Sequence, residues 1–269
     1  MSRKTVRVDV PIGNIDDTVT LAEAAVARHT TLGANSPLTG IVAMADLSTL
    51  VTETKNFRTP AQQSKANKEA WFAQAASVIG IAEGQNLSVQ KTIYWYITQS
   101  RDFLKTMNQG QEENLELWTF EVVVTQTGGR RNSAVEIPYN QPDALLTLAT
   151  GIINKHNTDG AGSPLKPNLI DMADFAAKVT QAQGLREDAG EEDAQKQANN
   201  QEARKLCGYG EGQNSNTPDT IYFFLTKIRD LLLTFYDGTE QQLETFGYNV
   251  VVGTAKMPTP GAGEGPPEE

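Results

Sequence analysis

An internal duplication restricts the fold of this chain more than any other feature of its sequence. Gly84-Gln85-Asn86 returns 128 residues later as Gly212-Gln213-Asn214. The same spacing relates two further pairs of segments: Thr92-Ile93-Tyr94 and Thr220-Ile221-Tyr222, and Arg101-Asp102 and Arg229-Asp230. A length of 269 residues allows one large domain or two ordinary ones, and the duplication favours two. We therefore predict two domains, repeat 1 (1–127) and repeat 2 (128–255).

Composition and charge exclude several classes of function. The net charge of −10 repels phosphate backbones, so we expect no nucleic-acid partner. One cysteine, Cys207, permits no intrachain disulfide, which fits a reducing compartment. The chain shows no signal peptide and no apolar run long enough for membrane insertion, so the cytoplasm is the default location and leaderless export stays open. The Pro-, Gly- and Glu-rich tail (256–269) is predicted to be disordered.

Each repeat carries the signals of four helices. Predicted helix 1 has an apolar stripe with helical spacing that ends at a histidine in both repeats: Thr18, Ala22, Ala25 and His29, and Leu145, Ala149, Ile152 and His156. Predicted helix 2 runs through a shared segment, Met44-Ala45-Asp46 and Met172-Ala173-Asp174. Predicted helix 3 covers 60–81 and 188–207, because a Thr-Pro pair at 59–60 and an acidic run at 187–193 both favour a helix start.

Predicted helix 4 has the clearest apolar stripe, which is typical of a bundle face. Its members are Ile93, Tyr96, Ile97, Ser100, Leu104 and Met107, and Ile221, Phe224, Leu225, Ile228, Leu232 and Phe235. Short runs with strand character open each repeat (6–11 and 135–138) and close it (118–124 and 246–252). Residues 125–134 are interpreted as a linker.

These elements predict a mainly α fold of two tandem up-down-up-down four-helix bundles, one in each repeat. Because four helices return the chain to the end at which it started, the opening and closing strands of one repeat should meet there. We expect them to pair as a short terminal two-stranded β-ribbon in each bundle.

The same counting brings two loops of each repeat together at the end opposite the ribbon. One is Gly-Ala-x-Ser-Pro-Leu, at 33–38 and 160–165, and the other contains Gly-Gln-Asn. The structural explanation is that the loops cap the helices, with Ser36 and Ser163 at the start of predicted helix 2. The functional alternative is a ligand-binding rim, whose candidate residues are His29, Glu83, Gln85, Asn86, His156, Glu211, Gln213 and Asn214.

Catalytic, metal and cofactor sites are not predicted. His29 and His156 are the only histidines, and Ser36 or Ser163 with Glu83 or Glu211 could complete a triad in each repeat. A serine before proline is better explained as a cap. One histidine with one glutamate supplies too few ligands for a metal ion. The glycines of 208–212 lack the Lys-Ser/Thr pair of a phosphate-binding loop.

Repeat 2 contains a series of segments in a fixed order: Gly212-Gln213-Asn214, Thr220-Ile221-Tyr222, the Arg-Asp-Leu-Leu-Leu run at 229–233 and the segment Leu-Glu-Thr-Phe-Gly-Tyr-Asn-Val at 243–250. In these segments it resembles a widespread group of uncharacterised bacterial repeat proteins. Repeat 1 departs from it, with Trp118-Thr119-Phe120 in place of Phe-Gly-Tyr. The resemblance implies no activity and no catalytic residues.

The sequence therefore favours a non-enzymatic structural or protein-interaction module. Its expected partner is a protein, and the open edges of the ribbons could pair between the two repeats or with a second copy of the chain. The alternative is a small-ligand-binding protein that uses the His and Gly-Gln-Asn end of each bundle.

Overall fold

The structure, a computed structural model, is mainly helical and describes residues 4–109, 111–127, 130–214 and 216–254. The α-helices are α1 (Ile15–Leu32), α2 (Met44–Ile79), α3 (Ile93–Met107), α4 (Pro142–Asp159), α5 (Met172–Cys207) and α6 (Ile221–Phe235). The strands are β1 (Lys4–Asp9), β2 (Glu121–Thr127), β3 (Arg130–Glu136) and β4 (Asn249–Thr254). The predicted tail lies outside the described residues.

Predicted helices 2 and 3 are one continuous helix in each repeat, which corrects the prediction of four separate helices. α2 and α5 each contain 36 residues. Pro60 lies inside α2 and the acidic run 187–193 lies inside α5, so neither signal starts a helix. Small side chains at equivalent positions are buried on both helices, including Ala61 and Ala189. Burial of this face across the predicted break outweighs the local cost of the proline.

The strands pair between repeats, whereas the sequence predicted pairing within each repeat. β1 pairs with β4, and β2 pairs with β3, in two separate antiparallel two-stranded sheets. We call them ribbon 1 (β1 and β4) and ribbon 2 (β2 and β3). The prediction relied on an even number of helices, and the fused helices remove that condition. β2 and β3 also occupy most of the predicted linker.

The chain forms two compact units, and each unit takes residues from both repeats. Unit 1 comprises Met1–Ala61 and Gln197–Glu269. Unit 2 comprises Gln62–Lys196. The boundaries of the units therefore fall inside α2 and α5 and differ from the repeat boundaries predicted at 127 and 255. Ribbon 1 belongs to unit 1 and ribbon 2 belongs to unit 2.

Each unit has its own hydrophobic core. In unit 1 the predicted stripes of α1 and α6 are buried together, with Ala22, Ala25, Leu225 and Ile228 fully inaccessible. In unit 2 the stripes of α3 and α4 are buried in the same way. Burial of the four predicted stripes is confirmed except at the last position of each. Met107 and Phe235 are exposed, and His29 and His156 are only partly buried.

Candidate functional site

The two histidines bind the loop that follows their own helix. The Nδ1 atom of His29 lies 2.8 Å from the Oγ atom of Ser36, and that of His156 lies 2.7 Å from the Oγ atom of Ser163. Both serines are buried, and each hydroxyl also accepts from the backbone N–H two residues later, at Leu38 or Leu165. In each of these pairs, the tautomer of the imidazole decides whether the ring nitrogen or the hydroxyl is the donor.

This contact closes the turn after α1 and α4. The serines do not cap the long helices as predicted, since α2 and α5 begin only at Met44 and Met172. Gly33 and Gly160 donate their backbone N–H groups to the carbonyls of the same histidines. Each histidine thus fixes the loop through its carbonyl and its ring.

The glutamines of the Gly-Gln-Asn segments bind the backbone at the ends of α2 and α5. Gln85 accepts from the N–H of Ala82 at 3.2 Å and donates to the carbonyl of Ser77 at 3.2 Å. Gln213 accepts from the N–H of Gly210 at 2.7 Å. These bonds satisfy backbone groups that a helix end leaves without partners.

The asparagines of the same segments form turns. Asn86 accepts from the N–H of Ser88 at 2.9 Å, and Asn214 accepts from that of Asn216 at 2.9 Å. An asparagine that bonds the backbone two residues later is a recognised turn former. The eight candidate residues thus include six, all but Glu83 and Glu211, whose side chains bond within their own loop. Their role as a ligand-binding rim stays a prediction.

The two loops of one repeat, which the sequence predicted to be neighbours, belong to different units. His29 and Ser36 are in unit 1, but Gln85 and Glu83 are in unit 2. The Gly-Gln-Asn loop that shares unit 1 with His29 comes from repeat 2.

Even within unit 1, the loop of Gln213 lies near the start of α1 and away from its histidine. Tyr209 donates its hydroxyl proton to the carbonyl of Pro11 at 2.5 Å, and its oxygen lies 2.6 Å from Oγ1 of Thr18. Thr18 and His29 are 11 residues apart in α1, which corresponds to a rise of roughly 16 Å. The Gln213 loop therefore lies on the side of ribbon 1, so the triad of Ser36, His29 and Glu211 is not assembled.

Cys207 is also held in a structural position. The thiol is fully buried in unit 1, and burial raises its pKa to about 12. A thiol with a raised pKa carries little thiolate at neutral pH and is a poor nucleophile. Among the described residues, no group of three or more His, Cys, Asp or Glu side chains is placed to hold a metal ion.

The ribbons place apolar side chains at the surface. β2 and β4 each contain three consecutive valines, 122–124 and 250–252. Alternate residues of a strand face opposite sides, so the middle valine faces away when its neighbour packs on the core. Val122 and Val250 pack against the cores, whereas Val123 is 40% exposed and Val251 is 53% exposed.

A polar surface groove lies on unit 2. It has a volume of about 600 Å³ and is lined mainly by α4 and α5, with Thr119 at one side. Its charged lining residues are Asp143, Arg186 and Glu187, and Asp143 and Arg186 bind each other at 2.5 Å. The groove therefore presents no strong excess of one charge.

One contact beside this groove was missed at the sequence level. Thr119 has a left-handed backbone, with φ at +66°, and its side chain lies against Gly151 of α4. The equivalent contact in unit 1 joins Gly247 to Ala24. The sequence signals for this contact are the departure of repeat 1 from Phe-Gly-Tyr at 118–120 and the change from Ala24 to Gly151 at equivalent positions.

Comparisons of this chain with protein-family models, with curated proteins and with solved structures find no match. In the part of the chain that the structure describes, no helix is both long and apolar enough to cross a membrane.

Proposed function

We propose that the protein is a non-enzymatic interaction module that associates with further copies of itself through its two β-ribbons. The observation that carries this proposal is the exposure of Val123 and Val251 on the outer faces of sheets that contain only two strands each. Exposure of a valine side chain to water is unfavourable. Burying it against a partner contributes on the order of 1 kcal/mol or more to the free energy of association.

Open strand edges give the ribbons a second means of association. In a two-stranded sheet, each strand forms its ladder on one side only, and the other side can pair with a strand of another chain. These strands already pair with one another between repeats, in the registers Val8 with Val250 and Val122 with Val135. A second copy of the chain offers the same valine-rich strands, so it is the partner that we favour.

We also infer that each unit packs as a four-helix bundle whose helices come from both repeats. Unit 1 would combine α1, the first half of α2, the second half of α5, and α6. Contacts between α1 and α6 and their shared core support this arrangement. In this arrangement the bundle serves as the rigid support of a ribbon.

The test is the mass of the purified chain at increasing concentration, measured by size-exclusion chromatography with light scattering. We expect the wild-type chain to form dimers or larger species. The double variant Val123→Lys/Val251→Lys should shift the population towards the monomer, because lysine at these exposed positions opposes strand association. The helical circular dichroism spectrum should stay unchanged, since both side chains face outward.

Ile41→Lys is the matched control. Ile41 is 52% exposed in the turn before α2 and lies outside both ribbons. We expect this variant to associate like the wild type. A wild-type chain that stays monomeric at every concentration, or equal effects of the two lysine variants, would contradict the proposal.

A further inference from the structure

Every contact between the two halves of a unit is also a contact between the two repeats. This follows because each unit takes its first elements from one repeat and its last elements from the other. The two units can therefore be compared position by position. Equivalent contacts between the repeats differ in three ways that bear on which repeats can pair.

The first difference is steric. In unit 2, Thr119 of repeat 1 packs against Gly151 of repeat 2, where an added Cβ would lie 2.9 Å from the Cβ of Thr119. In unit 1 the equivalent pair is reversed in size, with Gly247 of repeat 2 against Ala24 of repeat 1. An added Cβ on Gly247 would lie 2.7 Å from the Cβ of Ala24. At this contact, each unit thus has room for a side chain on only one of the two facing residues.

Repeat 1 carries both of the larger residues, Thr119 and Ala24, and repeat 2 carries both glycines. If repeat 1 paired with a second repeat 1, Thr119 would meet Ala24 and the two side chains would overlap. If repeat 2 paired with a second repeat 2, two glycines would face each other and leave a gap. Only the pairing of repeat 1 with repeat 2 places one larger residue against one glycine in both units, without overlap and without a gap.

The second difference is a hydrogen bond. Thr18 of repeat 1 and Tyr209 of repeat 2 bond through their hydroxyl groups in unit 1, at 2.6 Å. The equivalent positions in unit 2 are the apolar residues Leu145 and Ile81, which both belong to or pack on its core. Pairing of like repeats would place Thr18 beside Ile81, or Tyr209 beside Leu145, and each hydroxyl would lose this partner.

The third difference is a charge. Lys68 in the repeat 1 helix α2 donates to Asp193 in the repeat 2 helix α5, at 2.8 Å. The repeat 1 counterpart of Asp193 is Lys65. Pairing of two copies of repeat 1 would therefore place Lys68 beside a lysine, and like charges in contact repel.

We propose that the two repeats are matched partners: repeat 1 binds repeat 2 and rejects a second repeat 1, and the same rule governs exchange between two chains. The partner that fits the open half of a unit is thus the complementary repeat of the same chain or of a second copy. This inference goes beyond association through the ribbons, which leaves both units closed. The steric and hydrogen-bonding differences favour the pairing of unlike repeats, and the charge difference disfavours a second repeat 1. Each arises from different residues.

The steric contact is tested in the full chain with Gly151→Ala. A glycine within a helix normally gains stability when alanine replaces it, so a decrease is a specific sign of overlap. Gly190→Ala is the matched control, because Gly190 lies in α5 with open space at its Cβ position. We expect the control to raise the melting temperature and Gly151→Ala to lower it, by about 5 °C.

The double variant Thr119→Gly/Gly151→Ala recreates the contact that Gly247 and Ala24 make in unit 1. We expect it to melt at or above the temperature of the wild type. An increase in the melting temperature for Gly151→Ala alone, or no recovery in the double variant, would overturn the steric match.

The pairing rule between chains is tested by cross-linking two differently tagged full-length chains in which Cys207→Ala removes the native thiol. Arg7 lies opposite Val251 in ribbon 1, and the repeat 1 counterpart of Val251 is Val123. One chain carries Arg7→Cys and the other carries Val251→Cys or Val123→Cys. The two chains are unfolded, refolded together at high concentration and oxidised.

We expect more interchain disulfide with Val251→Cys after refolding the chains together than after mixing separately refolded chains, which reports pairing of repeat 1 with repeat 2. We expect no such gain with Val123→Cys, because ribbon association contributes equally to both mixtures. The pair Val123→Cys with Ala134→Cys checks that position 123 can react, since these residues lie opposite each other in ribbon 2. Equal cross-linking of Arg7→Cys with both partners would overturn the selectivity. Absence of cross-linking in every mixture would overturn the rule between chains.

Discussion

Asp193 is the residue whose charge is most clearly tied to the packing of α2 against α5 in unit 2. Its carboxylate accepts from Lys68 at 2.8 Å and from Lys196 at 3.1 Å. These bonds lower the pKa of Asp193 to about 2, from an ordinary value of 3.8. A carboxylate with a lowered pKa stabilises the folded state above its unfolded pKa, and the contribution is lost as the pH falls through the folded value.

We therefore expect Asp193→Asn to change the acid dependence of stability. The wild type should lose stability between about pH 4 and pH 2 as this carboxylate becomes protonated. The variant should be less stable at pH 7 and should show a flatter dependence in that window. Urea unfolding at a series of pH values measures both effects.

Asp188→Asn is the control for this experiment, because it changes an exposed aspartate of the same helix. It should leave the acid dependence close to that of the wild type. The assignment would be refuted if both variants flattened the curve equally.

Single residues also show where sequence reasoning reached its limit. The serine and the histidine of each loop could be identified as structural residues, because a Ser-Pro pair at a helix end suggests a turn. Their direct contact could not be predicted, since seven residues separate them and the intervening turn decides the geometry. The contact between Thr119 and Gly151 could not be predicted either, because it depends on which repeat contributes the second half of each unit.

At the scale of elements, the long helices show how tertiary packing can outweigh local signals. The apolar stripes of α1, α3, α4 and α6 were predictable because burial follows helical spacing over several turns. The continuity of α2 through Pro60 was not predictable, because proline usually marks a helix start or a break. The predicted pairing of the strands was wrong for the same reason, since it relied on the predicted number of helices in each repeat.

The cost of Pro60 can be measured by removing it. A proline in the interior of a helix is about 3 kcal/mol less favourable than alanine, and part of this is offset in the unfolded chain. We expect Pro60→Ala to raise the free energy of unfolding by about 2 kcal/mol, as measured by chemical denaturation followed by circular dichroism.

Asp188 provides the matched change in the other long helix. It occupies the position equivalent to Pro60, and both residues are exposed. Asp188→Pro should destabilise the protein by about 3 kcal/mol. The gain in stability from Pro60→Ala and the loss from Asp188→Pro both require an unbroken helix at these positions. A neutral result for both variants would argue against such a helix.

At the scale of the whole molecule, the repeats and the units divide the chain differently. The connection between the repeats at Gly128-Gly129 therefore does not separate two folding units, because both of its flanking strands belong to unit 2. This differs from a tandem of independent bundles, in which the connection would be the only link.

Cutting the chain at that point distinguishes the two arrangements. We expect a protease site inserted between Gly128 and Gly129 to yield two fragments that stay associated after cleavage. They should elute together in size-exclusion chromatography without denaturant and separate only when unfolded. Two fragments that elute separately while both remain helical would show that each repeat folds by itself.

The composition of the units also limits how the gene can change. Genes with internal repeats commonly gain or lose whole copies by recombination. Loss of one repeat here would leave neither unit complete, and two copies of repeat 1 would bring Thr119 against Ala24. A mutation at a contact between the repeats must be compensated by a second mutation in the other repeat, which is encoded by the same gene. We therefore expect the two repeats to change as a pair.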